Sequence, residues 1–139
     1  MLLVHLGAVE VSWLLGPGQG QMNPPDVQAR TAELLGLEPT GEGMPLAEGG
    51  SPPDWLRGKG IGWYLELLDR ARSLVHDALM GWTDSDLDFM VEGGDYRIDR
   101  RWMLYHVLEH LAAHFGQILL VLHHQRDAGV LQSPPSRGL

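Results

Sequence analysis

Residues 100–124, RRWMLYHVLEHLAAHFGQILLVLHH, decide how this chain is read. The spacing predicts one long amphipathic helix carrying histidines at 106, 110 and 114, an i, i+4, i+8 row. At about 100° per residue the three rings drift slowly around one side, where Met103, Val107, Gln117 and Val121 also fall. The imidazoles are therefore expected to look inward. A second apolar arc, made by Leu104, Leu108, Leu111, Phe115, Leu119 and Leu122, runs beside them. The helix is thus apolar over more than half its circumference, which predicts a central place in the fold. Tyr105, Glu109, Gly116 and His123 remain for the outer side.

Three inward imidazoles multiply the buried polar groups that need partners, and a first-row divalent metal satisfies several of them at once. Composition narrows the ligands further. The 139 residues include no cysteine, which excludes a disulfide framework, a cysteine nucleophile, a thiolate zinc site and a Cys-ligated iron–sulfur cluster. Histidine and carboxylate are left as ligands. A formal charge of −8, from 10 Lys+Arg against 18 Asp+Glu, offers no basic footprint and argues against nucleic acid or an anionic membrane as partner.

The length suits one domain with a single core, residues 1–131, followed by a frayed tail over 132–139, QSPPSRGL. Residues 2–15, LLVHLGAVEVSWLL, form the first helical segment, closed by Gly16-Pro17-Gly18. No Lys or Arg precedes this run, no small-residue cleavage site follows it, His5 and Glu10 interrupt it, and it is too short to span a bilayer. The expectation is a cytoplasmic protein. Asn23 and Pro24 can open a short helix over 26–35 that ends at Gly36. Residues 37–60 are rich in Gly and Pro and read as a long loop, with Met44, Leu46, Trp55 and Leu56 as anchors. A third helix covers 61–80. Thr83 or Asp84 caps a brief turn, TDSDLD, Gly93-Gly94-Asp95 bends the chain, and Asp99 caps the long helix. Arg100 and Arg101 then sit at the wrong end of that helix dipole, whereas His123, His124 and Arg126 suit its C-terminus. No segment reads as a strand. The predicted class is all-α, a small helical bundle.

Two short motifs compete within the histidine row. His106-Val-Leu-Glu109-His110 matches the H-x-x-E-H pattern of inverted zinc peptidases. That chemistry needs a further downstream glutamate, and none follows His110. The better pair is His110 and His114, with a third nitrogen from another helix: His5 by preference, His76 as competitor. Three nitrogens with open positions make a catalytic-type centre, since a structural site closes all four.

LLVHLGAVEVSW at the N-terminus and LYHVLEHLAAHFGQI near the C-terminus resemble the two metal-bearing helices of the DinB-like superfamily, which includes mycothiol-dependent maleylpyruvate isomerases and bacillithiol transferases. The resemblance implies a four-helix bundle, commonly a homodimer, with a divalent ion held by one early histidine and two ligands a turn apart on the last helix. By position these are His5, His110 and His114, followed by Gly116-Gln117, while His106 matches a recurrent histidine outside the ligand set. Members usually carry a whole helix before the first ligand, so the expected bundle has a first helix that is missing, shortened or replaced by a dimer partner. Phe115 stands where many members have arginine.

The function this implies is a divalent-metal enzyme, with zinc or nickel ahead of iron or manganese. A thiol S-transferase of the bacillithiol or mycothiol type, or a related isomerase or hydrolase, would use a low-molecular-weight thiol and a small-molecule electrophile. The alternatives are a non-catalytic dimeric helical protein whose histidines are structural or take metal adventitiously, and the H-x-x-E-H peptidase. Trp13, Trp63, Trp102 and Tyr64 are available to line a pocket.

Overall fold

The computed structural model describes residues 1–16, 27–38, 51–93 and 96–131. Four α-helices, α1 (Leu2–Leu15), α2 (Val27–Leu35), α3 (Ile61–Leu79) and α4 (Arg100–Asp127), account for most of it. Single 3₁₀ turns at Asp54–Leu56 and Asp84–Asp88 join them, with a β-hairpin of β1 (Met90–Gly93) and β2 (Tyr96–Asp99) before α4. The helical class and the helix positions agree with the sequence reading. The hairpin does not: its antiparallel register pairs Met90 with Asp99 and Val91 with Ile98. Val91 is wholly buried, so the local pairing is held by one side chain reaching the helical core. Pro17-Gly18, the proposed helix start at Asn23, Pro24 and Asp26, Met44, Leu46, the tip of the bend at Gly94-Asp95 and the 132–139 tail lie outside the described residues.

The termini explain where the helices stop. At the end of α2, Gly36 takes φ +64°. Its N–H donates to the Glu33 carbonyl at 3.1 Å and that of Leu37 to the Ala32 carbonyl at 2.8 Å, a Schellman closure. A side chain at residue 36 would also meet Arg70 Nη1 at 2.7 Å, the group that donates to the Leu35 carbonyl. Thr83 and Asp86 form a reciprocal capping box over the second 3₁₀ turn. Asp99 Oδ1 accepts the Trp102 N–H at 2.6 Å and starts α4. The two arginines at the unfavourable end of α4 find local partners. Arg101 pairs with Asp88 at 3.0 Å, and the Arg100 guanidinium lies over the Trp82 and Phe89 rings, 4.3 and 4.5 Å from their centroids.

The central helix is α1, not α4. It packs against α2, α3 and α4, and buries Val4, Leu6, Val11 and Leu14. Leu35, Leu67, Ala71, Val75, Met103 and Val107 close around it. Gly7 and Ala71 face one another between α1 and α3, where a Cβ on Gly7 would make an ordinary van der Waals contact, 3.5 Å, with that of Ala71. On α4 only Met103 and Val107 are buried. Its expected second arc is largely open: Leu108 is 65%, Phe115 60% and Leu119 40% exposed. Periodicity marks a face as apolar, but whether a neighbour covers it is settled by long-range packing. Trp55 and Leu56 do reach the core, as the loop reading expected. No described helix is long and apolar enough to cross a membrane.

Candidate metal centre

His5 lies on the side of α1 that faces α4, opposite His110 and His114. The two helices run antiparallel, so Trp13, two turns further along α1, meets Trp102 and His106 near the start of α4. The groove between them therefore holds three histidines at one end and an aromatic cluster at the other.

At the histidine end the Nε2 atoms converge. His110 Nε2 stands 3.1 Å from His5 Nε2 and 3.0 Å from His114 Nε2. The ligand-capable nitrogens of the three all lie within 4.8 Å of one another. On the far side of its ring, His114 Nδ1 is 2.7 Å from Gln117 Oε1. An amide oxygen has no hydrogen to give, so with Gln117 in this orientation a neutral His114 donates from Nδ1 and turns a lone pair inward at Nε2.

This arrangement is difficult to satisfy with protons alone. A single proton on His110 Nε2 can serve only one of its two close contacts well. His110 Nδ1 is buried without a hydrogen-bond partner, and so is unsatisfied in either tautomer. A cation accepts all three lone pairs together. Metal–nitrogen bonds of about 2.0–2.1 Å at roughly 90–110° place neighbouring nitrogens about 2.9–3.4 Å apart. The two separations from His110, 3.0 and 3.1 Å, fall in that range, and the third pair, His5 and His114, lies within 4.8 Å. The residues present fit a divalent ion.

Electrostatics keep the group in the ligating form. Burial, then the neighbouring His114, His5 and His106, lower the His110 pKa to about 4. Burial and then His114 push His5 below the usual imidazole range. Both rings are neutral at pH 7, with lone pairs available.

The remaining candidates have other surroundings. His106 stacks on Trp102, with 4.8 Å between centroids and planes 8° apart, and meets Trp13 edge-on at 4.8 Å. Its centroid is 6.4 Å from that of His110. The H-x-x-E-H pair thus does not converge, and Glu109 is exposed on the outer side of α4. His76 sits exposed on α3, 3.8 Å from Asp77, away from the group. His123 and His124 are exposed near the C-terminus of α4. Sequence reasoning put Gln117 on the histidine face but did not assign it the contact with His114, although the i, i+3 spacing permits it. It also missed the partner of Glu10. This buried α1 carboxylate accepts from Arg72 Nε at 2.6 Å and Nη2 at 3.2 Å, tying the metal-facing helix to α3.

Among known families, the model described as DinB superfamily matches residues 2–118, including the whole histidine group. Neither the curated proteins nor the solved structures give a significant match.

Proposed function

This chain belongs to the DinB superfamily, and from that premise we propose that His5, His110 and His114 hold a divalent ion, zinc or nickel first and iron or manganese next, in a metal-dependent enzyme. The observation that carries the reading is the convergence of three imidazole nitrogens, one each from His5, His110 and His114, within 4.8 Å. Three protein nitrogens leave coordination positions open, as catalytic centres do. When bound, such an ion supplies Lewis acidity that lowers the pKa of a coordinated thiol or water.

The reaction class we favour is transfer of a low-molecular-weight thiol to a small electrophile, with a related isomerisation or hydrolysis as the neighbouring chemistry. The likeness to thiol-using members supports it. Chemistry at such a centre draws on the ion to make its nucleophile. The protein's part is to present three imidazole nitrogens to one point between α1 and α4. The thiol proton leaves to solvent and the sulfur bonds to the electrophile as the bond to its leaving group breaks, that group departing with the electron pair, or as a π bond opens and its pair takes up a proton.

The open arc of α4 favours a second element of the reading. Leu108, Phe115, Leu119 and Leu120 are 40–65% exposed on one helix, an apolar surface suited to a second copy in a homodimer. A dimer whose histidines take up no metal would be the non-catalytic alternative.

Elemental analysis of untagged protein tests the proposal. Wild type is expected to carry close to one ion per chain, and the His110→Ala/His114→Ala variant none. Folded wild type without metal, even after reconstitution, would refute it. Bound metal then justifies assays with thiol cosubstrates, in which His5→Ala should abolish turnover and His76→Ala should leave it unchanged.

A further inference from the structure

We infer that Gln117 is a positioning residue of the histidine group: its amide oxygen fixes the tautomer of His114, so that a lone pair and not an N–H faces His5 and His110. The inference rests on reading the group as a metal centre. Its physical basis is the 2.7 Å contact between His114 Nδ1 and Gln117 Oε1. A neutral imidazole has one N–H, and the nitrogen that donates it settles which nitrogen keeps the lone pair. In an unconstrained histidine side chain the proton prefers Nε2. Here that preference would aim an N–H at His110 Nε2, 3.0 Å away, and a metal would have to displace it.

The three ligands are not equivalent in this respect. His110 Nδ1 is buried and has no acceptor. His114 is held from behind by a group on its own helix, three residues on, where the spacing places both side chains on one side. Metal-bound histidines commonly donate their other N–H to such an acceptor, which raises ligand basicity and fixes the ring. Gln117 is exposed, so its replacement leaves the core intact. An ordinary surface pair would change helix stability slightly and leave metal affinity and tautomer alone.

Two measurements on the full chain test this. Zinc affinity is read by competition with a chromophoric chelator for wild type, Gln117→Ala and Gln117→Glu, with circular dichroism to verify the helix. Ring ¹⁵N shifts of the metal-free proteins report the His114 tautomer. Gln117→Ala is expected to weaken zinc about tenfold and to move the His114 proton toward Nε2. Gln117→Glu keeps an acceptor and should bind at least as tightly as wild type. Zinc affinity of Gln117→Ala within twofold of wild type, with His114 still protonated at Nδ1, would overturn the inference. Wild type that takes up no zinc refutes the metal reading instead. In that case the nitrogen shifts decide alone: a tautomer switch in Gln117→Ala upholds the role of Gln117, and an unchanged tautomer ends it.

Discussion

Replacing Arg72 with methionine isolates the contact that ties the central helix to α3. The Glu10 side chain is 6% exposed and accepts two hydrogen bonds from a guanidinium that is itself 65% exposed. The substitution keeps the aliphatic stem and removes both donors, leaving a carboxylate on a nearly sealed face of α1. Stranding a fully buried charge costs about 3–5 kcal/mol. Because Arg72 is mostly exposed, water can follow into the space it vacates, and the expected loss falls to about 2 kcal/mol. For a domain of this size that lowers the thermal midpoint by roughly 6–8 °C. Circular dichroism melts measure it. Glu10→Met/Arg72→Met removes the stranded charge as well and should recover at least half the loss, because the penalty lies in the unpaired carboxylate more than in the lost attraction. His5 faces the other way on α1, so metal content should be unchanged in both variants. A single variant that melts with wild type, or a double variant no more stable than Arg72→Met, would refute this account of the pair.

Metal-free protein should lose stability as pH falls from about 6.5 toward about 4. His110 titrates near 4 when folded and at the ordinary imidazole value when unfolded. The unfolded chain therefore binds more protons in that window, and the contribution is complete only above it. The change would be roughly 3 kcal/mol for a sealed ring and on the order of 1–2 kcal/mol with solvent reaching this partly exposed one. Urea titrations of wild type against His110→Gln should show a shallower slope in the variant, with a remainder from His5, which is also lowered; equal slopes would refute the assignment. Leu108→Glu/Phe115→Glu places two charges on the open arc of α4 without touching the buried Met103 or Val107. Light scattering after size exclusion should then show monomer where wild type is dimer, with melting unchanged at dilution; a wild-type monomer would remove the homodimer.

The histidine group was legible because its signal is local. His110 and His114 are one turn apart on a single helix, so their convergence depends on backbone geometry that any helical stretch supplies. His5 was reachable by elimination and by likeness, being the inward histidine of the other strongly apolar segment. The helix ends were equally readable at Asp99 and Gly36, where one side chain or one missing Cβ settles the termination. Gln117 was visible on the right face, but its role required the ring orientation of His114, which spacing does not provide.

Other features depended on which surfaces meet. Apolar periodicity gave α4 two inward arcs, yet α1 occupies the middle and leaves Leu108, Phe115 and Leu119 open. The strands Met90–Gly93 and Tyr96–Asp99 are too short to show an alternation, and they persist because Val91 is anchored in the core. Arg100 and Arg101 looked misplaced against the helix dipole until Trp82, Phe89 and Asp88 were brought to them. Sequence alone thus determined the helical class, the helix limits and the pairing of His110 with His114 one turn apart, since these follow from contacts within a turn or two of chain. Tertiary structure alone decided which helix is central, which apolar face stays open and how Glu10 is paired, because those contacts join residues far apart in the chain, where burial free energy and not local propensity selects the neighbour.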